Sequence, residues 1–199
     1  MKKLIALLGS IILLASCNDS AKKVVVMSKG VADINTAAKT ITAKDGAGHQ
    51  EQVLVLGGGK VVFKLSTPAG EATVELLENG LYIINVKNDT IVGSYQKYSD
   101  PKLAQTAMTQ DILKQRIDSL QLLSEGKNVS AVNHNFFILP NQAAKITDNN
   151  QADIVGPYHQ MTSAEKKDGK NPEVYRFYSI KEIREMIMKL KVLATPTKP

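Results

Sequence analysis

The chain of 199 residues contains no tryptophan and a single cysteine, and aromatic residues make up only 5% of it. With one cysteine it cannot form an intramolecular disulfide, so its stability has to come from a hydrophobic core. Sugar-binding surfaces usually stack on exposed aromatic rings, and the scarcity of such rings weighs against a carbohydrate site without excluding one built from Tyr and polar groups. No apolar run reaches the roughly 20 residues that a transmembrane helix needs.

Common catalytic and cofactor-binding motifs are also missing. Gly-x-Ser-x-Gly is absent, which argues against the nucleophile elbow of serine hydrolases. His49, His134 and His159 form no i, i+3 or i, i+4 pair, so a zinc site would need distant segments to converge. Gly57-Gly58-Gly59-Lys60 precedes a strand pattern, whereas phosphate-binding loops lead into a helix, so it predicts a hairpin turn. We therefore predict no catalytic residue, no metal ligand and no cofactor.

The charge of the chain is mildly basic. Its formal net charge is +6, and the basic residues are scattered without an arginine-rich block or interleaved aromatics. The electrostatic footprint of a nucleic-acid-binding protein is therefore missing, and no nucleic-acid partner is expected.

The first 16 residues have the pattern of a secretory signal. Lys2 and Lys3 precede an apolar run from Leu4 to Leu14, and small residues lead up to Cys17. The apolar run of about 11 residues is too short to span a membrane as a helix.

Leu14-Ala15-Ser16-Cys17 resembles the lipobox of bacterial lipoproteins. The resemblance implies cleavage before Cys17, lipidation of that cysteine and a membrane anchor; the alternative is an ordinary signal peptide with an incidental cysteine. We expect an outer-membrane location facing the periplasm, because Asn18-Asp19-Ser20 lacks the acidic cluster that resembles surface-export signals. Three triplets resemble the O-glycosylation acceptor motif of Bacteroidota: Asp19-Ser20-Ala21, Asp89-Thr90-Ile91 and Asp118-Ser119-Leu120.

Residues 24–98 read as a β-rich region behind a lipidated tether of residues 17–23. β-branched and alternating segments predict strands, and Asn79-Gly80 predicts a hairpin turn. An antiparallel meander with one covered face is the simplest arrangement. The predicted strands are Val24–Val26, Val53–Leu56, Val61–Leu65, Glu71–Leu77, Leu81–Val86 and Ile91–Tyr95.

Residues 99–195 read as an α+β region packed on the first, with a frayed tail at 196–199. Asp100-Pro101 predicts a helix start and Gly126 its end, with an apolar face of Leu113, Ile117, Leu120 and Ser124. A strand is predicted at His134–Leu139, a long loop at residues 141–171, and a second helix behind the capping box of Ser179 and Glu182. Its predicted apolar face is Ile183, Met186, Ile187, Leu190 and Leu193. The fold class is thus α+β, a mostly antiparallel sheet packed by two amphipathic helices.

The predicted function is a non-catalytic binding or assembly role in the bacterial envelope, with an envelope protein or a polysaccharide as partner. The alternative is a small periplasmic hydrolase that uses His159 or His134 with a carboxylate; Tyr158 and His159 lie in the long loop, where sites are often carried. An open sheet edge or exposed patch would favour binding. A histidine bonded to a carboxylate inside a pocket would favour the enzyme.

Overall fold

A computed structural model describes residues 21–96, 109–130, 132–156 and 171–194 of the chain. Cys17, Tyr158, His159 and the helix start predicted at Asp100-Pro101 lie outside these residues. Within them the chain forms twelve strands and two helices. The strands are β1 Lys22–Lys29, β2 Ala32–Asn35, β3 Thr40–Ala43, β4 His49–Leu56, β5 Val61–Thr67, β6 Gly70–Leu76, β7 Gly80–Asn85, β8 Ile91–Gln96, β9 Asn135–Ile138, β10 Gln142–Thr147, β11 Asp153–Val155 and β12 Val174–Ser179; the helices are α1 Gln110–Ser124 and α2 Ile180–Ala194.

The middle of the molecule is a four-stranded sheet with the order β10-β7-β1-β4. β1 runs parallel to β7 and antiparallel to β4. All six residues of β7 are buried, as are Val24 to Met27 in β1. Strands buried on both faces read as continuous apolar runs instead of alternating ones, which explains the composition of these two strands.

A second sheet, β2-β3-β5-β6, covers one face of the middle sheet. Phe63 and Leu76 of this sheet pack in one cluster with Val24, Val26 and Ile84 of the middle sheet. The alternating pattern of β5 and β6 places apolar residues inward and polar residues outward, as expected for a sheet with one solvated face.

A third sheet, β11-β12-β8-β9, covers the opposite face of the middle sheet. Phe136 and Phe177 pack there against Val25, Met27 and Ile83. The outer face of this third sheet carries both helices, with Val92 of β8 in one cluster with the buried residues of α1 and α2. The protein is therefore built in four layers, three sheets and a pair of helices.

The ends of both helices follow from local sequence. Thr109 caps α1 by accepting a hydrogen bond from the Ile112 amide at 3.3 Å. Gly126 at φ +69° ends it, and the Lys127 amide donates to the Leu122 carbonyl at 2.8 Å, the geometry of a Schellman motif. Neither described helix combines the length and apolar character that crossing a membrane would require.

The capping box predicted for α2 is confirmed. The Ser179 amide donates to the Glu182 carboxylate at 2.7 Å, and the Glu182 amide donates to the Ser179 hydroxyl at 3.2 Å. Ile183 and Ile187 are buried as predicted, but Leu193 is exposed because the packed face of the helix continues through Leu190 and Ala194 instead.

The predicted meander is wrong, although the α+β class, the mainly antiparallel pairing and the two helices are confirmed. β4 and β5 do not pair across Gly57–Lys60, and β6 and β7 do not pair across Asn79-Gly80. Each of these turns passes the chain from one sheet to another. The reason is that β1 and β7 are apolar on both faces, so neighbouring segments have to cover them from above and below instead of beside them.

Other predicted boundaries also change. Lys22 and Lys23 belong to β1, so the predicted tether of residues 17–23 is too long. The loop predicted at 141–171 contains β10 and β11, and β2, β3 and β12 were not predicted. The regions 24–98 and 99–195 share sheets, because β10 pairs with β7 and β8 pairs with β12. Where the local sequence pattern is weak, whether a segment forms a strand thus depends on pairing partners that are distant in the sequence.

Candidate functional site

The outer edge of the middle sheet is β4, and its only strand partner among the described residues is β1. The β1–β4 register is continuous over eight residue pairs. Leu54 and Leu56 face the second sheet, whereas Val53 and Val55 point to the other side and are 57% and 75% exposed. We call the outer side of residues 52–56 the β4 edge.

The other sheet edges in the described ranges carry features that discourage strand pairing. β10 has a register break between Lys145 and Thr147, and the Lys145 amine forms ion pairs with Glu78 and Asp148. β6 presents the exposed charges of Glu71 and Glu75. β2, β9 and β11 are no longer than four residues. Residues 52–56 have no proline, no lysine, no charge and no bulge, so the β4 edge lacks the usual protection.

A polar site lies at the other end of β4, where the N-terminus of α2 meets the middle sheet. An open pocket of about 370 Å³ is lined there by Lys29, His49, Lys87, Asp89, Lys181 and Glu182, among others. We call it the α2 pocket. The Lys87 amine lies 2.6 Å from His49 Nδ1, and His49 Nε2 lies 2.6 Å from Glu51 Oε1. His49 and Glu51 are two residues apart on a strand and therefore share a face.

The tautomer of His49 follows from its partners. Lys87 donates to Nδ1, so the ring proton resides on Nε2 and is donated to the Glu51 carboxylate. Both ring nitrogens are therefore engaged by protein groups. Gly156 packs against this pair, since a Cβ there would lie 2.4 Å from Glu51 Oε1 and 3.0 Å from His49 Nε2.

Lys87 is the unusual titratable group of this pocket. The residue is only 5% exposed, and within the described segments no carboxylate oxygen lies within ion-pair distance of its amine. Burial lowers the pKa of Lys87, although Glu182, Glu51 and Asp89 act in the opposite direction. A lysine so placed spends more of its time as a neutral amine than an exposed lysine does.

His134 belongs to a different cluster, on the third sheet. The Tyr175 hydroxyl donates to Glu173 Oε1 at 2.5 Å, so His134 Nδ1 donates to the hydroxyl oxygen at 3.3 Å. The ring of Tyr95 lies 5.6 Å from that of Tyr175 and 5.8 Å from that of His134. Among the residues that the structure describes, His134 thus reaches a carboxylate through a tyrosine, and its own side chain is exposed.

Two pKa shifts in this cluster have opposite directions. Burial opposes ionisation of Glu173, but hydrogen bonds from Tyr175, Thr147 and Asn149 outweigh it and hold the pKa of this carboxyl below its usual value. Burial, with the negative charge of Glu173, raises the pKa of the Tyr175 hydroxyl. The cluster therefore holds a carboxylate and a neutral phenol at neutral pH.

Of the predicted candidate residues, His134 is the one that falls in the described part of the chain. Cys17, Tyr158 and His159 lie outside the described residues, and His134 lies in a cluster apart from the α2 pocket. The histidine that meets a carboxylate at a pocket is His49, which was expected to be a surface or core-edge residue. A His-x-Glu pattern on an extended segment was the available signal, whereas Lys87 follows β7 with no pattern that marks it.

A resident metal ion has no evident ligand set in the described part of the chain, where no group of three His, Cys, Asp or Glu residues converges. No family model matches the chain, and neither the curated proteins nor the solved structures include one similar to it.

Proposed function

We propose that this chain is a lipid-anchored envelope protein with a non-catalytic binding role, and that it binds a partner protein through the β4 edge. The observation that supports this proposal is the contrast between the β4 edge and the other described edges. Long unprotected edge strands are normally avoided because they pair with other chains. A strand that keeps such an edge, with two exposed valines, suits a partner that supplies an extended segment.

The mode of binding would be strand addition. The partner's main chain would hydrogen-bond to the amides and carbonyls of β4 that point away from β1, and its small apolar side chains would cover Val53 and Val55. Main-chain hydrogen bonds would supply affinity, and the two valines would select for alternating apolar residues.

The location is proposed from the resemblance of residues 14–17 to a lipobox. Five residues lead from Cys17 to Lys22, the first residue of β1, and a chain of that length reaches at most about 18 Å. A lipidated Cys17 would therefore hold the folded part close to the membrane, where envelope proteins are the available partners. We predict that Cys17→Ala releases the protein from membranes, and a variant that still sediments with them would refute the anchor.

The test of the binding proposal is a crosslinking pull-down of the tagged, lipidated protein from its own envelope. The variant Val53→Lys/Val55→Lys places charges on the β4 edge like those that other edges carry. The matched control is Val31→Lys, because Val31 lies outside β4 and is 78% exposed. We expect one specific crosslinked partner with the wild type and with Val31→Lys, and its loss with the double variant. Equal recovery of that partner by the double variant would sink the proposal.

Folding of each variant is checked separately, because lost binding has to be distinguished from lost structure. Both valines are more than half exposed, so the double variant should unfold within a few degrees of the wild type. Failure to recover any specific partner with the wild type would count against the proposal.

A hydrolase is the second candidate, and the 2.6 Å contact of His49 with Glu51 at a pocket is the observation that favours it. To act as a general base, His49 would have to release Lys87 from Nδ1. The test is ester and amide hydrolysis by the wild type and by His49→Gln. Turnover that disappears with His49→Gln would support the hydrolase, and identical background rates would exclude it for those substrates.

A further inference from the structure

We propose that Lys87 is a reactive amine, a nucleophile held in the α2 pocket to form an imine with small carbonyl compounds. This inference is independent of the β4 edge and of the membrane anchor. It rests on the burial of Lys87, on the partner of its amine and on the open pocket that its side chain lines.

The first step concerns the protonation of the amine. Buried ammonium groups are normally paired with a carboxylate, since an unpaired buried charge is costly. The Lys145 amine, on a partly exposed side chain, contacts both Glu78 and Asp148. Lys87 instead has the neutral nitrogen of His49 as the partner of its amine, at 2.6 Å. A neutral amine satisfies this contact with one N–H and keeps its lone pair for attack on a carbonyl carbon.

The second step concerns the charges around the pocket. Glu182, Glu51 and Asp89 favour the ammonium form, and Lys29 disfavours it. Lys181 and Glu185 also line the pocket, on α2. Burial outweighs the three nearest carboxylates and lowers the pKa of Lys87, so the geometry and the electrostatics agree on an amine with increased neutral character.

The third step is the chemistry. The Lys87 nitrogen attacks the carbonyl carbon and forms a C–N bond while the C=O π electrons move to the oxygen. His49 Nδ1 accepts one proton from the nitrogen and passes it to that oxygen, which gives a neutral carbinolamine. The second nitrogen proton follows by the same path, the C–O bond breaks as water leaves, and the C=N bond of the imine forms. One carbonyl compound and one amine thus yield one imine and one water, with no net change in protons and no oxidant or reductant.

Glu51 is a positioning residue in this scheme. Its carboxylate accepts the Nε2 proton of His49 and would stabilise the imidazolium that forms during attack. Gly156 leaves room for this pair, because a side chain at that position would collide with the Glu51 carboxylate.

The experiment measures imine formation on the full-length protein at pH 7 with salicylaldehyde, trapped by cyanoborohydride and located by peptide mass mapping. Lys29 and Lys181 are matched internal controls because they line the same pocket. Burial lowers the pKa of Lys87 and so enlarges its neutral, reactive fraction, and we expect Lys87 to be labelled faster than either control. Labelling of Lys87 no faster than Lys181 would overturn the proposal.

Two further measurements test whether the faster labelling of Lys87 depends on the fold and on the His49–Glu51 pair. In urea Lys87 should be labelled no faster than Lys29 and Lys181. Faster labelling of Lys87 in the unfolded chain would mean that the fold does not cause its reactivity. Glu51→Gln should move the pH at which Lys87 labelling is half-maximal, and Lys114→Gln, at an exposed lysine of α1 outside the pocket lining, should leave it unchanged. An unchanged profile with Glu51→Gln, in a variant that melts like the wild type, would refute the role of the His49–Glu51 pair.

Discussion

Gly93 lies directly across from Phe177 in the β8–β12 ladder, and Gly93→Ala is the variant that most sharply tests the packing of the third sheet. A Cβ on Gly93 would lie 2.3 to 2.7 Å from three carbons of the Phe177 ring. The ring is only 1% exposed and packs against Phe136, so it has no free space to move into. The added methyl group would have to displace core side chains on both sheets.

Overpacking of this kind costs about 1 to 3 kcal/mol. For a chain of this size, each kcal/mol corresponds to a fall in melting temperature of about 2 to 4 °C. Gly57→Ala is the control, because a Cβ at Gly57 meets no atom within 4 Å. We expect Gly93→Ala to lower the free energy of unfolding in urea by about 1 to 3 kcal/mol and Gly57→Ala to change it by less than about 0.5 kcal/mol.

The double variant Gly93→Ala/Phe177→Leu completes the design. Because the clash needs both the methyl group and the ring, the cost of Gly93→Ala should shrink when Phe177 is already leucine. Equal unfolding free energies for Gly93→Ala and Gly57→Ala, or fully additive effects in the double variant, would show that the ring does not cover Gly93 as described.

Three further predictions concern single groups. Ser179→Ala removes the cap of α2 and should cost about 0.5 to 2 kcal/mol in chemical unfolding, whereas Ser119→Ala, mid-helix in α1, should not. Gln52→Leu should raise the free energy of unfolding by about 1 kcal/mol, because Gln52 Oε1 is buried and has no hydrogen-bond partner within the described ranges; a destabilised variant would contradict this. Glu173 has a pKa below its unfolded value of 4.5, so its contribution to stability is present above that pH and is lost as the pH falls through the folded-state pKa. Glu173→Gln should therefore lose less stability between pH 5 and 3 than the wild type in acid titrations followed by circular dichroism, and parallel curves would refute the assignment.

The sequence predicted correctly those structural features that depend on interactions between residues close together in the chain. The capping box of Ser179 and Glu182, the end of α1 at Gly126 and the burial of Leu113 and Ile117 depend on residues within one or two helical turns. They were predictable because helix caps and apolar faces have short, regular spacings. The strands at Val61–Leu65 and Ile91–Tyr95 were likewise close to their observed bounds.

The candidate sites were not predictable in the same way. His49 is in the sequence beside Glu51, but its contact with Lys87 joins residues 38 positions apart. The β4 edge was read as one half of a hairpin, and its exposure became evident only when β5 proved to pair with β3 and β6. No local pattern reports that a strand lacks a neighbour.

The sequence by itself therefore determined the α+β class, most strand positions in the first half, the end of α1 and the start of α2, because propensity, periodicity and capping act over a few residues. Tertiary structure alone decided that Val24–Met27 and Leu81–Asn85 form a middle layer, that turns switch sheets, and that Lys87 meets His49. Those outcomes depend on which apolar surfaces cover one another across the whole chain. The arrangement that forms is the one that buries the most apolar surface over the whole chain, and no short segment of sequence contains that information.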